Sequence, residues 1–138
     1  MTVTPESLAK SGTESGLQRA VLQWAALNTP KYPCLKWLHH VMNSSVVGTS
    51  ERDRFIRGAR MKADGVKKGI LDLSLLYPSC GYHGLMIELK KKGKLKTISP
   101  EQKEYIEYLN SVGYLAVVCD DLETVIKIIE SYLHFETK

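Results

Sequence analysis

Cysteine is scarce: 138 residues contain only Cys34, Cys80 and Cys119, far apart and odd in number. That argues against a disulfide framework and for a reducing compartment, with all three thiols expected to be buried. Histidine offers no zinc framework either, because His39 and His40 are adjacent and His83 and His134 have no Cys or His at a ligand interval. No apolar run approaches the roughly 20 residues that span a bilayer. Met1 to Lys10 is mixed polar sequence without the apolar stretch of a signal peptide, so a cytoplasmic protein is expected. What is present is 43% hydrophobic content, enough for one continuous core. The expected organisation is a flexible segment over residues 1–12 followed by a single domain over 13–138.

Net charge is only +4, but its distribution is uneven. Twelve of the 19 basic residues fall in two stretches: Arg52, Arg54, Arg57, Arg60, Lys62, Lys67 and Lys68, then Lys90, Lys91, Lys92, Lys94 and Lys96. No acidic residue interrupts the second stretch. A lysine-rich solvated loop accounts for such a run by itself, yet the clustering also suits a polyanion, since phosphate neutralisation with counterion release dominates non-specific nucleic-acid binding.

Apolar spacing predicts the elements. Leu17, Ala20, Val21, Trp24 and Ala25 recur at helical intervals, with Thr13 or Ser11 as cap and an end near Asn28, ahead of two X-Pro steps. Leu35 to Met42 reads as a short strand, followed by a loop over Asn43 to Gly48. Glu51 to Ala63 reads as a basic helix whose apolar side is Phe55, Ile56, Ala59 and Met61 or Ala63, stopped by Gly65. Ile70 to Tyr77 and Tyr82 or Gly84 through Lys91 read as two strands of a hairpin. Ser99-Pro100-Glu101-Gln102 combines an N-cap, a first-turn proline and a capping-box glutamine, opening a helix that carries Tyr105, Ile106, Leu109 and Val112 and stops at Gly113. Tyr114 to Cys119 is then a buried strand, and Asp120 or Asp121 caps a last amphipathic helix bearing Leu122, Val125, Ile126, Ile129 and Leu133. A helix linking two strands is a crossover that sets them parallel, so the expected fold is α/β, a mixed sheet with helices packed on it.

Alternation along a strand assigns faces. Leu71, Leu73, Leu75 and Tyr77 share a core face, leaving Asp72 and Ser74 on the other; in the next strand Leu85, Ile87 and Leu89 oppose Met86, Glu88 and Lys90. The i, i+2 interval sets Glu88 and Lys90 about 6.6 Å apart at Cα. Paired as a hairpin, the strands can bring Asp72, Glu88 and Lys90 to one point. Two carboxylates and an amine suit phosphodiester hydrolysis, because hard carboxylate oxygens hold Mg²⁺ or Mn²⁺ together with substrate phosphate. The amine can orient or help deprotonate a water, or stabilise developing negative charge. Taken as a bare pattern, Glu88-x-Lys90 is explained better by a solvent-exposed charge pair on a half-buried strand.

Gly69-Ile70-Leu71-Asp72-Leu73 followed by Glu88-Leu89-Lys90 resembles the PD-(D/E)XK nuclease signature. More narrowly, Met61 to Leu73, Gly84 to Lys90 and Leu95 to Gln102 resemble the virus-type replication-repair nuclease family, VRR-NUC, with the likeness running from about Glu14 to Leu133. The resemblance implies a restriction-endonuclease-like mixed sheet flanked by helices. It makes Asp72 and Glu88 metal ligands for Mg²⁺ or Mn²⁺, the backbone carbonyl of Leu89 a further ligand, Lys90 the catalytic lysine and Gln102 the glutamine of the following helix. Glu14, in Glu14-x-x-x-Gln18, matches the family's acidic position as a metal or second-metal ligand. Leu71 stands where a proline is usual, which removes backbone stiffness but no ligand. Arg57, Arg60, Lys62, Lys67, Lys68, Lys91, Lys92 and Lys94 become candidate phosphate contacts, which position DNA without reading sequence. By analogy with standalone members the expectation is a homodimeric, structure-selective endonuclease acting on branched or Holliday-junction DNA in phage or bacterial replication, recombination or repair. The alternative is a non-catalytic DNA-binding module with a nuclease fold.

Replacing Lys67 and Lys68 together by alanine is expected to weaken binding to every DNA form and to reduce the slope of log affinity against log salt by about 2. Titrations at a series of salt concentrations check this, and a loss confined to one sequence would contradict it.

Overall fold

The computed structural model describes residues 3–42 and 50–134. Four strands form one mixed sheet in the order β1-β2-β3-β4: β1 His39–His40, β2 Leu73–Leu75, β3 Leu85–Leu89 and β4 Leu115–Cys119. β2 runs antiparallel to β1 and to β3, with Leu73 opposite Ile87 and Leu75 opposite Leu85. β3 and β4 are parallel, Leu85 beside Leu115 through Leu89 beside Cys119, as the crossover helix requires.

Among the described residues there are five α-helices: α1 Pro5–Ala9, α2 Glu14–Leu27, α3 Glu51–Ala63, α4 Pro100–Ser111 and α5 Leu122–His134. One face of the sheet receives α2 and α5, whose Leu17, Val21, Val125 and Ile129 pack on Leu73, Leu75, Leu85, Ile87 and Leu89. The other face receives α4, whose Leu109 packs with Leu71, Met86 and Ala116. β3 is therefore covered on both sides and all five of its residues are buried. Thr13 caps α2 by accepting from Gly16 N at 2.9 Å, and Asp121 caps α5 by accepting from Thr124 N at 2.7 Å. Among the described residues no helix is long and apolar enough to cross a membrane.

Several expectations are corrected. Residues 5–9 of the segment read as flexible form a helix, with a reciprocal Thr4–Ser7 capping box and a buried Pro5. Leu35 to Met42 is not a strand over its length: Pro33–Trp37 is a 3₁₀ turn and only His39–His40 pairs. The first hairpin strand shrinks to three residues. A bend at Asp72 breaks the alternation before it, so Leu71 packs with Met86 on the α4 face instead of joining Leu73 and Leu75. α3 spans the expected residues but buries none of them, and Phe55 is 78% exposed. Of the cysteines only Cys119 is buried; Cys34 is half-buried and Cys80 exposed. The loop Asn43 to Gly48 lies outside the described residues.

Gly69 fixes how the chain enters Asp72. Its φ is +88°, and a Cβ there would lie 2.6 Å from the Glu101 carbonyl and 2.9 Å from Gln102 N, so the approach to Asp72 lies against the first turn of α4. Gly65 has a similar φ of +92° but open space where its Cβ would be. Gly65→Ala is expected to cost about 1 kcal/mol, for left-handed backbone alone, and Gly69→Ala at least about 2 kcal/mol more, because backbone must move. Urea unfolding of the two variants checks the difference; equal losses would contradict it.

Candidate active site

β3 ends, and α4 begins, at the same edge of the molecule, so the last residues of β3 meet the first turn of the helix. Glu88 and Lys90 project to the α4 side of the sheet beyond Met86. Both are buried, Glu88 at 3% and Lys90 at 7% exposure. A buried charge is tolerated only when paired and hydrogen-bonded. The partner is Gln102, whose Nε2 donates to Glu88 Oε2 at 2.7 Å and whose Oε1 accepts from Lys90 Nζ at 3.0 Å. Lys90 Nζ also lies 3.5 Å from Glu88 Oε2, closing a triangle of three side chains.

The same glutamine completes the capping box of α4. Ser99 N donates to Gln102 Oε1 at 3.0 Å, and Gln102 N donates to Ser99 Oγ at 3.1 Å. These bonds fix the amide's orientation, because exchanging its oxygen and nitrogen would set a carbonyl against the Glu88 carboxylate and an NH₂ against both Lys90 and an N–H.

Asp72 sits at the bend before β2, half-buried. Its Oδ2 accepts from the backbone N–H of Leu89 at 2.8 Å, which ties the carboxylate to the end of β3. The N–H and C=O of one strand residue leave the same edge, so the Leu89 carbonyl also points to the side from which Asp72 approaches. The Asp72 carbonyl accepts from Val41 N at 2.9 Å and is 2.8 Å from His40 Nδ1. A carbonyl only accepts, so Nδ1 carries the proton in that bond. Sequence spacing gave no sign of His40, because two residues of edge strand leave no periodic signal and their pairing with β2 is a long-range event.

One atom of this cluster is left over. Glu88 Oε1 is buried and has no hydrogen-bond partner among the described residues. Such an oxygen in a carboxylate is expensive to bury. Burial, and then the negative charge of Asp72, raise the Glu88 pKa from 4.5 to about 7, against the opposing pull of Lys90 and Gln102. The chemistry of these donors suits a hard divalent cation, because an orphaned carboxylate oxygen lies in a cluster whose second carboxylate is near enough to raise its pKa.

The structure thus gathers Asp72, Glu88, Leu89, Lys90 and Gln102. Glu14 is exposed in the first turn of α2. The described residues contain no group of three or more His, Cys, Asp or Glu side chains arranged to hold a metal ion. The candidate phosphate contacts Arg57, Arg60, Lys62, Lys67, Lys68, Lys91, Lys92 and Lys94 are all exposed. Two basic segments are anchored beside the cluster: Lys67 and Lys68 by the Gly69 contact with α4, and Lys91 to Lys94 by Gly93 N, which donates to Asp120 Oδ2 at 2.9 Å. A cleft of about 370 Å³ beside Cys80, Tyr82, Val117 and Ile128 contains none of the cluster.

The family model for the VRR-NUC domain matches residues 12–121. A solved structure described as a VRR_NUC domain protein is similar at 33% identity with a TM-score of 0.71, covering 89% of each chain. No curated relative matches the sequence.

The raised Glu88 pKa makes stability depend on pH. Between the ordinary value of 4.5 and about 7 the folded protein holds a proton that the unfolded chain has lost. Stability from this group is therefore complete below pH 4.5 and declines as pH rises towards 7. The urea midpoint of metal-free protein is expected to fall across that window more steeply than that of Glu88→Gln, in which the group cannot ionise. Parallel pH profiles for the two proteins would contradict the assignment.

Proposed function

The chain belongs to the VRR-NUC family of nuclease-type domains, and from that premise we propose that it is a divalent-metal-dependent, structure-selective endodeoxyribonuclease. The observation that carries this reading is the buried Glu88–Gln102–Lys90 triangle with one orphaned carboxylate oxygen beside Asp72. A structural ion pair has no use for the orphan, whereas a cation site does.

Asp72, Glu88 and the Leu89 carbonyl are the proposed ligands of Mg²⁺ or Mn²⁺. When bound, such an ion supplies Lewis-acid polarisation of phosphate and a water of lowered pKa. Gln102 holds Glu88 and Lys90 in register. Two donors of the Lys90 ammonium face Gln102 Oε1 and Glu88 Oε2, leaving a third for a phosphate oxygen or the attacking water. In a buried setting that donor stabilises developing negative charge more strongly than it would in water. Glu14, exposed in the first turn of α2, is proposed as a further metal or second-metal ligand on the family resemblance.

The flanking Lys67–Lys68 and Lys91–Lys94 segments are read as backbone contacts to DNA that confer no sequence preference. Branched DNA such as a four-way junction is the proposed substrate class, in replication, recombination or repair, with a homodimer presenting two cutting sites; both points rest on analogy with standalone family members.

Incubating labelled junction, flap and duplex DNA with Mg²⁺, Mn²⁺ or EDTA tests the reading. Cutting is expected only with metal and preferentially on branched forms. Lys90→Ala is expected to lower its rate by about 10²-fold or more while DNA binding is retained. Unchanged cutting by that variant would overturn the assignment, and binding without cutting by the wild type would favour a non-catalytic module.

A further inference from the structure

The 3₁₀ turn Pro33–Trp37 and the edge strand β1 adjoin the proposed site but take no part in it. Trp37 is 69% exposed, unusual for the largest apolar side chain, while the neighbouring Leu35 and Leu38 are buried and anchor the turn. The ammonium of Lys36 lies 5.2 Å from the centre of the Trp37 ring. His39 Nδ1 is 3.0 Å from the Trp37 carbonyl, and His40 Nδ1 is 2.8 Å from the Asp72 carbonyl. The turn thus runs through β1 to the residue that holds the acid of the site, with only Leu38 and His39 between Trp37 and His40. Charge points the same way: from Ser15 to Ser50 the sequence has no Asp or Glu, while Arg19, Lys31 and Lys36 are basic.

A rigidly mounted aromatic ring with a cation at its face and no acid on its own segment suits a strand of nucleic acid whose bases are unpaired. Stacking needs an accessible base face, which a duplex hides, and the backbone needs positive charge. We infer that Lys36 and Trp37 form a stacking platform for single-stranded DNA, receiving an unpaired strand at the sheet edge where β1 adjoins Asp72. This rests on the nuclease reading for its purpose but not for its test. The platform selects flaps, splayed arms and junction openings over continuous duplex.

The chain has two tryptophans, and Trp24 is buried at 9% exposure, so quenching of intrinsic fluorescence by DNA reports on Trp37. Wild-type protein in EDTA, where cleavage is not needed, is titrated with a thymidine oligomer and with a blunt duplex of equal length at one salt concentration. The expected result is saturable quenching by the oligomer and little by the duplex. Trp37→Ala is expected to bind the oligomer about 5- to 30-fold more weakly and Trp37→Phe to recover most of the loss. Being at an exposed position, both variants should keep the wild-type melting temperature, which verifies folding. Absence of quenching, equal quenching by duplex, or unchanged oligomer affinity in Trp37→Ala would each overturn the platform. Cleavage that survives in Lys90→Ala would instead overturn the active-site assignment and leave the platform standing.

Discussion

Gln102 is the side chain on which the site depends, because one amide serves a helix cap and two buried charges at once. Its oxygen accepts from the Ser99 N–H and from Lys90, and its nitrogen donates to Glu88. The start of α4 and the end of β3 are therefore not independent: wherever the helix begins, the amide arrives, and with it the geometry of the carboxylate and the ammonium. The topology makes this meeting natural. A crossover helix joining two parallel strands must begin near the end of the first, and here that end carries Glu88 and Lys90.

Around this point the fold places constraints rather than ornaments. β3 is covered on both faces, so a charge on it cannot retreat into water and has to be satisfied locally. The bend at Asp72 turns its carboxylate onto the Leu89 N–H, and the close approach of Gly69 to Glu101 holds the preceding segment against α4. Polar groups are consequently fixed by three separate elements before any ligand arrives, which is the preorganisation that electrostatic catalysis requires. One oxygen, Glu88 Oε1, remains outside the network. The similarity to a VRR_NUC domain protein over nearly the whole chain gives that arrangement its nuclease context.

Much of this was legible in the sequence, and the reasons are local. Ser99-Pro100-x-Gln102 announces both the helix and its cap, and Glu51 to Ala63 announces α3 by its apolar spacing and its glycine stop, because these signals lie within a few turns. The parallel pairing of β3 and β4 followed from a single rule about crossovers. What failed was decided by partners distant in sequence. Pro5–Ala9 is too short to reveal itself by periodicity and depends on its capping box and its seat beside α2. Leu71 obeys alternation on paper but lies beyond a bend that alternation cannot foresee. The apolar side of α3 remains uncovered although its spacing matches that of a buried helix. Glu88-x-Lys90 would read identically as a surface ion pair; only the cover supplied by α4 makes it a buried one.

On the proposed reading, Glu88 Oε1 lacks a hydrogen-bond partner among the described residues because a cation completes it. Anomalous scattering from crystals soaked in Mn²⁺ tests this most directly. The predicted result is one strong peak within coordination distance of the Asp72 and Glu88 carboxylates and the Leu89 carbonyl, with the Gln102 bonds to Glu88 and Lys90 retained. A saturated crystal with no peak there, or with manganese bound only at other carboxylates, would contradict it.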